Sequence, residues 1–160
     1  MKYRFRGNVL EIEDARIIYR NFSGVGSKYN REGDKGFSVV ISDDELKEEL
    51  IAAGWNVKIR EPREGYEDPL VHLPVKVKYN KEGRGPAIYV LSGKGKPTLL
   101  DADSVNMLDE IDIASVSMDL RPYDWEINGK AGTTAYLQAM EVTQNIDRFG
   151  AKYTEDDLPF

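Results

Sequence analysis

Cysteine is absent from all 160 residues and histidine occurs once, as His72. Without thiols there is no disulfide framework, no thiolate zinc site and no cysteine nucleophile, and a Ser/His/Asp arrangement would have to run through that one imidazole. His72 lies on the polar side of an alternating segment, which marks it as a surface residue, not a metal ligand or a catalytic base. Long apolar runs are missing as well. The basic start Met1-Lys2-Tyr3-Arg4-Phe5-Arg6 meets Glu11, Glu13 and Asp14 before a signal peptide or membrane span can form. The expectation is a soluble, unprocessed, cytoplasmic chain with no membrane partner.

Other signatures fail in detail. Asp101-Ala102-Asp103 begins like a calcium loop, but Val105 stands at the third ligand position and Asn106 where the sharp-turn glycine belongs. Gly24-Val25-Gly26 is followed by Tyr29 where a dinucleotide fingerprint needs its third glycine, and Gly93-Lys94-Gly95-Lys96 lacks the spacing and hydroxyl of a phosphate loop. Both read as mobile basic loops. Asp119, Asp124 and Glu126 read as solvated surface acids and not as a nuclease's magnesium site. No metal, cofactor or catalysis is expected.

What is present is period-two alternation on a chain with the length of one domain and a hydrophobic content of 41 %, enough for a real core. Residues 71–79 place Val71, Leu73, Val75, Val77 and Tyr79 on one side and His72, Lys76 and Lys78 on the other. Residues 57–60 repeat the pattern, with Val57 and Ile59 inward and Lys58 and Arg60 outward. Residues 114–121 form a third half-buried strand running into Pro122, whereas 37–41 and 87–91 read as more fully buried strands. Between residues 10 and 19 the apolar parity changes, from Leu10 and Ile12 to Ala15, Ile17 and Tyr19. A β-bulge near Asp14 reconciles the halves and bends the strand, as small closed barrels require.

Turn chemistry supports an antiparallel sheet: Asn128-Gly129 is a short hairpin signal, and 80–86 reads as a longer hairpin loop. One helix is predicted, opened by the capping box Ser42-Asp43-Asp44-Glu45 and closed at Gly54. Ile41 and Leu46 are placed for a staple, and Leu46, Leu50 and Ala53 share a face. A helical turn is expected within 104–109. Trp55 and Phe37 are assigned to packing.

The net charge of −6 argues against a nucleic-acid partner until its distribution is examined. Residues 1–42 carry +3 and 56–96 carry +4, while 43–55, 97–127 and 128–160 carry −4, −7 and −2. A phosphate backbone responds to the local field, so two basic blocks permit a basic surface on an acidic protein. Sequence-tolerant binding of single strands needs cations along the phosphates and aromatic faces under the bases. Arg20, Phe22, Lys28, Tyr29, Arg31 and Lys35 supply that mixture in a Gly- and Ser-rich loop. Arg121, Tyr123 and Trp125 form a second cluster, and Lys58, Arg60, Lys76 and Lys78 line the polar strand faces. Tyr29, flanked by cations, is the better stacking candidate. Phe22 and Trp125 serve either as stacking faces or as lids over the barrel.

Taken in order, Arg20-Asn21-Phe22-Ser23-Gly24, Tyr29-Asn30-Arg31-Glu32-Gly33, Gly54-Trp55-Asn56-Val57-Lys58, Arg121-Pro122-Tyr123-Asp124-Trp125 and the terminal acids resemble bacteriophage single-stranded DNA-binding proteins of the oligonucleotide/oligosaccharide-binding (OB) fold. The resemblance covers the whole length. It implies a mainly β, antiparallel OB-like barrel with one capped α-helix, and single-stranded DNA binding in replication, recombination or repair without catalysis. For a phage protein the compartment would be the cytoplasm of the bacterial host.

The end of the chain, Glu155, Asp156, Asp157, Leu158, Pro159 and Phe160, resembles the tip of bacterial single-stranded DNA-binding proteins. That implies a docking peptide for replication or recombination proteins. The expected division is therefore a DNA-binding domain over 1–143 and a flexible acidic tail over 144–160. Eleven extended residues, 144–154, reach no more than about 40 Å, so the tip can cover its own barrel or that of a neighbour in a homodimer. Two further readings stand beside this one: a phage protein-interaction module without nucleic-acid binding, and an RNA-binding OB barrel, which phosphate contacts and stacking alone do not separate from a DNA-binding one.

Overall fold

The computed structural model describes residues 1–145 apart from 63, 66, 67 and 94. The predicted docking peptide, Glu155 to Phe160, lies outside the described residues. Among those residues the elements are β1 (Lys2–Arg6), β2 (Val9–Ala15), β3 (Ile17–Asn21), β4 (Lys35–Val40), α1 (Asp44–Ala52), β5 (Lys58–Arg60), β6 (Leu70–Val77), β7 (Ala87–Leu91), β8 (Thr98–Leu100), a 3-10 turn (Val105–Asp109), β9 (Ile113–Ile127) and β10 (Lys130–Gln144). No helix among them is long and apolar enough to cross a membrane.

The main path of the sheet is β1-β2-β9-β10-β6-β4-β3. Its last strand, β3, is separated from the end of β2 by Arg16 alone. The path therefore returns on itself: β2 and β3 act as one bent strand that pairs with β9 through its first half and with β4 through its second. The result is the mainly β, OB-like barrel with one α-helix. The sheet is not purely antiparallel, because β6 and β7 both pair with β10 in parallel. Accordingly the 80–86 loop does not close a hairpin; β6 and β7 follow one another along β10.

Two bulges bend the first strand. Ile12 to Ala15 faces Met118 to Val116, one residue more on β2 than on β9, and Asp14 has φ 54°. This is the bulge predicted near Asp14. A second follows, where Ile18 to Asn21 faces Ser38 to Gly36 and Tyr19 has φ 53°. It restores the earlier parity, so Tyr19, expected inward, stands outside with 54 % exposure and Phe22 turns fully inward.

The enclosed core joins Leu10, Ile12, Phe37, Leu73, Val75 and Leu120 with inward residues of the other strands. Ile59 departs from its expected inward position. β5 is three residues long and pairs only with β6, which leaves Ile59 48 % exposed. Tyr89, in a strand expected to be more fully buried, is 40 % exposed because β7 alternates. β9 continues through Pro122 to Ile127, and Asn128 and Gly129 both adopt positive φ in the hairpin turn, as predicted.

The helix N-cap is Asp43 and not Ser42: the Asp43 carboxylate accepts from the Leu46 amide at 2.9 Å, and a charged acceptor is favoured at the positive end of the helix dipole. At the other end Trp55 N–H donates to Leu50 O and Gly54 N–H to Ile51 O, with Gly54 at φ 84°. Leu46 and Leu50 are buried, whereas Ala53, already the C-cap, is exposed. Thr133 N–H donates to Gly54 O and Asn56 N–H to Thr133 O, which fixes the helix exit, and with it buried Trp55, against β10.

Candidate nucleic-acid interface

In an OB barrel, ligands are bound by the face of the second and third strands and by the loops joining strands one to two and four to five. Here those parts are β4, β6, the 22–34 loop and the far end of the β9–β10 hairpin. Alternation on β6 buries Leu73, Val75 and Val77 and leaves Lys76 and Lys78 exposed on the outer side, as predicted. Lys76 is the register partner of Tyr136 on β10, and Tyr136 is that of Arg121 on β9. The Arg121 guanidinium carbon lies 5.3 Å from the Tyr136 ring centroid, and the Tyr123 ring meets Tyr136 edge-on at 5.7 Å. Three adjacent strands, about 4.8 Å apart, thus carry a cation, an aromatic ring and a second cation in one row. Beside it, Lys78, Arg84, Arg121 and Tyr136 line a groove of about 470 Å³.

The other end of β6 is basic as well. Lys58 is opposite His72 and Arg60 opposite Leu70. His72 is hydrogen-bonded through Nδ1 to the hydroxyl of buried Ser38 at 3.0 Å, and the Tyr19 ring packs edge-on against it at 5.3 Å. Burial, and then the charges of Arg60 and Lys58, hold its pKa below the ordinary value, so the ring is neutral at pH 7. Among the described residues, Lys58, Arg60, Lys76, Lys78 and Arg121 have no carboxylate partner within 4.0 Å.

The 22–34 loop rises from this face, since Lys35 at its end pairs with Val77, one residue before Lys78. It is knitted by its own bonds and is not the open loop its composition suggests. Asn21 and Val25 exchange two hydrogen bonds, Asn30 Nδ2 donates to Val25 O, Arg31 O and Asp34 O, and Gly33 N–H donates to Gly24 O. Tyr29 sits at its tip, 87 % exposed, with Lys28 Nζ 5.0 Å from its ring centroid. Arg31 is exposed beside Asp34 at 3.4 Å.

Three predicted contact residues are instead part of the framework. Phe22 is fully buried and stacks on Phe37 at 5.4 Å, so its ring has no face for a base. Arg20 Nη1 donates to Leu108 O at 2.7 Å and Ile111 O at 2.8 Å, and Lys35 Nζ donates to Phe22 O at 2.7 Å. Asp109 accepts from the Phe22 and Ser23 amides and from the Ser23 hydroxyl, which clamps the 3-10 turn onto the base of the loop. Trp125 is a lid only on its own hairpin: it lies against Gly132 and keeps 36 % exposure, while Tyr123 keeps 55 %.

Tyr19, Tyr136 and Arg84 were not among the predicted contacts. Tyr136 was accessible to the same alternation argument, because it falls between inward Ala135 and Leu137. The bulge that exposes Tyr19 is masked because Tyr19 is itself aromatic and continues the odd series of Ala15 and Ile17, so the return to even parity shows only at Phe22.

Solved structures with the same fold include the single-stranded DNA-binding protein from bacteriophage Enc34. Its C-terminally truncated form matches with a TM-score of 0.56 at 12 % identity, covering 89 % of this chain and 88 % of that one. The same protein in complex with single-stranded DNA matches with a TM-score of 0.53 at 14 % identity, over 90 % of each chain. No curated protein sequence matches. The model of the phage ssDNA-binding domain family spans residues 1–160, and this chain belongs to that family.

Proposed function

We propose that the chain binds single-stranded DNA without reading its sequence, along the outer face of β4, β6 and β10, during phage DNA replication, recombination or repair in the bacterial host. It acts by binding, without catalysis. The observation that carries this is the Lys76–Tyr136–Arg121 row, in which phosphate-binding cations flank a stacking ring on three neighbouring strands. Lys58, Arg60 and Lys78 extend the phosphate track, Lys28 and Arg31 contribute from the loop, and Tyr29, Tyr123 and Trp125 supply further base platforms.

The acidic run 155–160 competes for this basic surface until DNA displaces it, which frees Phe160 for a replication or recombination protein, either alone or across a homodimer. One feature of the barrel favours that route. Asn145, the last described residue, is tied to Asp112 through its amide at 2.7 Å and its side chain at 3.3 Å. Asn145 therefore lies close to the 3-10 turn that clamps the 22–34 loop.

Binding isotherms for oligo-dT across a salt series, with the full chain and with residues 154–160 removed, test both halves. Affinity falls with salt because each neutralised phosphate releases counterion, and truncation strengthens binding most at low salt. Salt-insensitive binding overturns the phosphate track; unchanged affinity after truncation overturns the competition. A matched RNA oligomer as competitor decides between DNA and RNA.

A further inference from the structure

We infer that Tyr19 is a base-stacking residue at the β5 end of this face, held outward by a strained backbone; this rests on the single-strand binding proposed above. A tyrosine at φ 53° occupies the left-handed region, which disfavours residues with a Cβ. Ordinary packing does not compensate for it, because the side chain is 54 % exposed. The conformation persists because both sides of it are fixed. Arg20 is anchored on two carbonyls of the 105–111 segment, and Asn21 is locked to Val25. On its other side Ile18 keeps its register with Ser38.

The result is an aromatic ring presented to solvent among cations. Arg60 Nη1 donates to the Tyr19 hydroxyl, and the ring meets His72 edge-on, which steadies it while leaving ring surface open. Arg60 and Lys58 stand where the phosphates flanking a stacked base would run. A neutral His72 places no third positive charge against the ring. The geometry matches a nucleobase stacked on Tyr19 with its backbone along β5, so the bound strand extends past Lys76 toward Lys58 and does not end at the Tyr136 row.

The test uses the full chain and oligo-dT. Tyr19→Gly suits a left-handed position, so its melting temperature should equal or exceed that of the wild type while affinity falls about five- to a hundredfold. Tyr19→Phe keeps the ring and stays within about twofold. Tyr19→Trp adds an indole whose emission oligo-dT quenches beyond the wild-type change. If wild type binds and Tyr19→Gly binds within twofold of it, or if Tyr19→Trp adds no quench, the inference is overturned. An affinity loss matched by a large fall in melting temperature also overturns it, by making Tyr19 structural. If wild type does not bind oligo-dT at all, the failure belongs to the proposed function.

Discussion

Trp125 lies against Gly132, its register partner across the β9–β10 hairpin, so closely that a Cβ on residue 132 would stand 2.7 Å from ring carbon Cζ2. A glycine facing an aromatic ring in this way lets the ring cover bare backbone and pins the register of an otherwise exposed hairpin. Gly132→Ala forces the indole to swing, since the clash is with the far end of a side chain and not with backbone. The expected outcome is a shifted tryptophan emission and a two- to fivefold weaker oligo-dT isotherm, with a melting temperature within about 4 °C of wild type, as an effect below about 1 kcal/mol implies. Unchanged emission would show that the ring is not held there.

The cation–ring–cation row separates two kinds of contact. Lys76→Ala and Arg121→Ala each remove one phosphate partner, so the slope of log affinity against log salt should fall in magnitude by about 0.7 per substitution. Tyr136→Ala removes a stacking face, so affinity should drop about fivefold or more with the slope unchanged. Equal slopes for all four proteins would place the phosphates elsewhere.

Much of this face was legible from residues alone, and the exceptions share a cause. Leu73, Val75 and Val77 alternate with Lys76 and Lys78, so the basic side of β6 followed from period two, and Asn128-Gly129 marked the hairpin that carries Tyr123 and Trp125. Asp14 was legible as a bulge because the parity of the apolar residues changes across it. Tyr19 was not, because it is itself aromatic and continues the odd series of Ala15 and Ile17, so the second extra residue shows only as a return to even parity at Phe22. Phe22, Arg20 and Lys35 look like an aromatic residue with its cations; the docking of the 3-10 turn, from 87 and 88 residues later, takes up the Phe22 amide and the Arg20 guanidinium, and Lys35 is taken up by the Phe22 carbonyl. Long-range pairing of that kind, like the parallel β6–β10 contact, has no local signature.

Phe22 gives the sharpest contrast between framework and contact. Fully buried and stacked on Phe37, it should cost about 3–5 kcal/mol when replaced by alanine. Urea unfolding of Phe22→Ala measures that loss. Once corrected for the folded fraction, its oligo-dT affinity should stay within about threefold of wild type. A large affinity defect in fully folded protein would instead return Phe22 to the binding site.

His72 predicts a pH dependence whose sign is fixed by its surroundings. Burial and the nearby Arg60 and Lys58 lower its pKa in the folded state below the ordinary 6.5. The unfolded chain therefore takes up the proton first as pH falls. The stability that the neutral ring contributes is complete above about pH 6.5 and is lost as pH drops through the folded-state pKa. Carboxylates titrate in the same range, so the informative quantity is the difference in melting temperature between wild type and His72→Gln. That difference should be constant from pH 8 to about 6.5 and move against the wild type below it. A phosphate seated on Lys58 and Arg60 offsets those two charges, so saturating oligo-dT should reduce the acid-side change. A difference that stays flat from pH 8 to 5 would mean that the imidazole is not set against the Lys58–Arg60 pair.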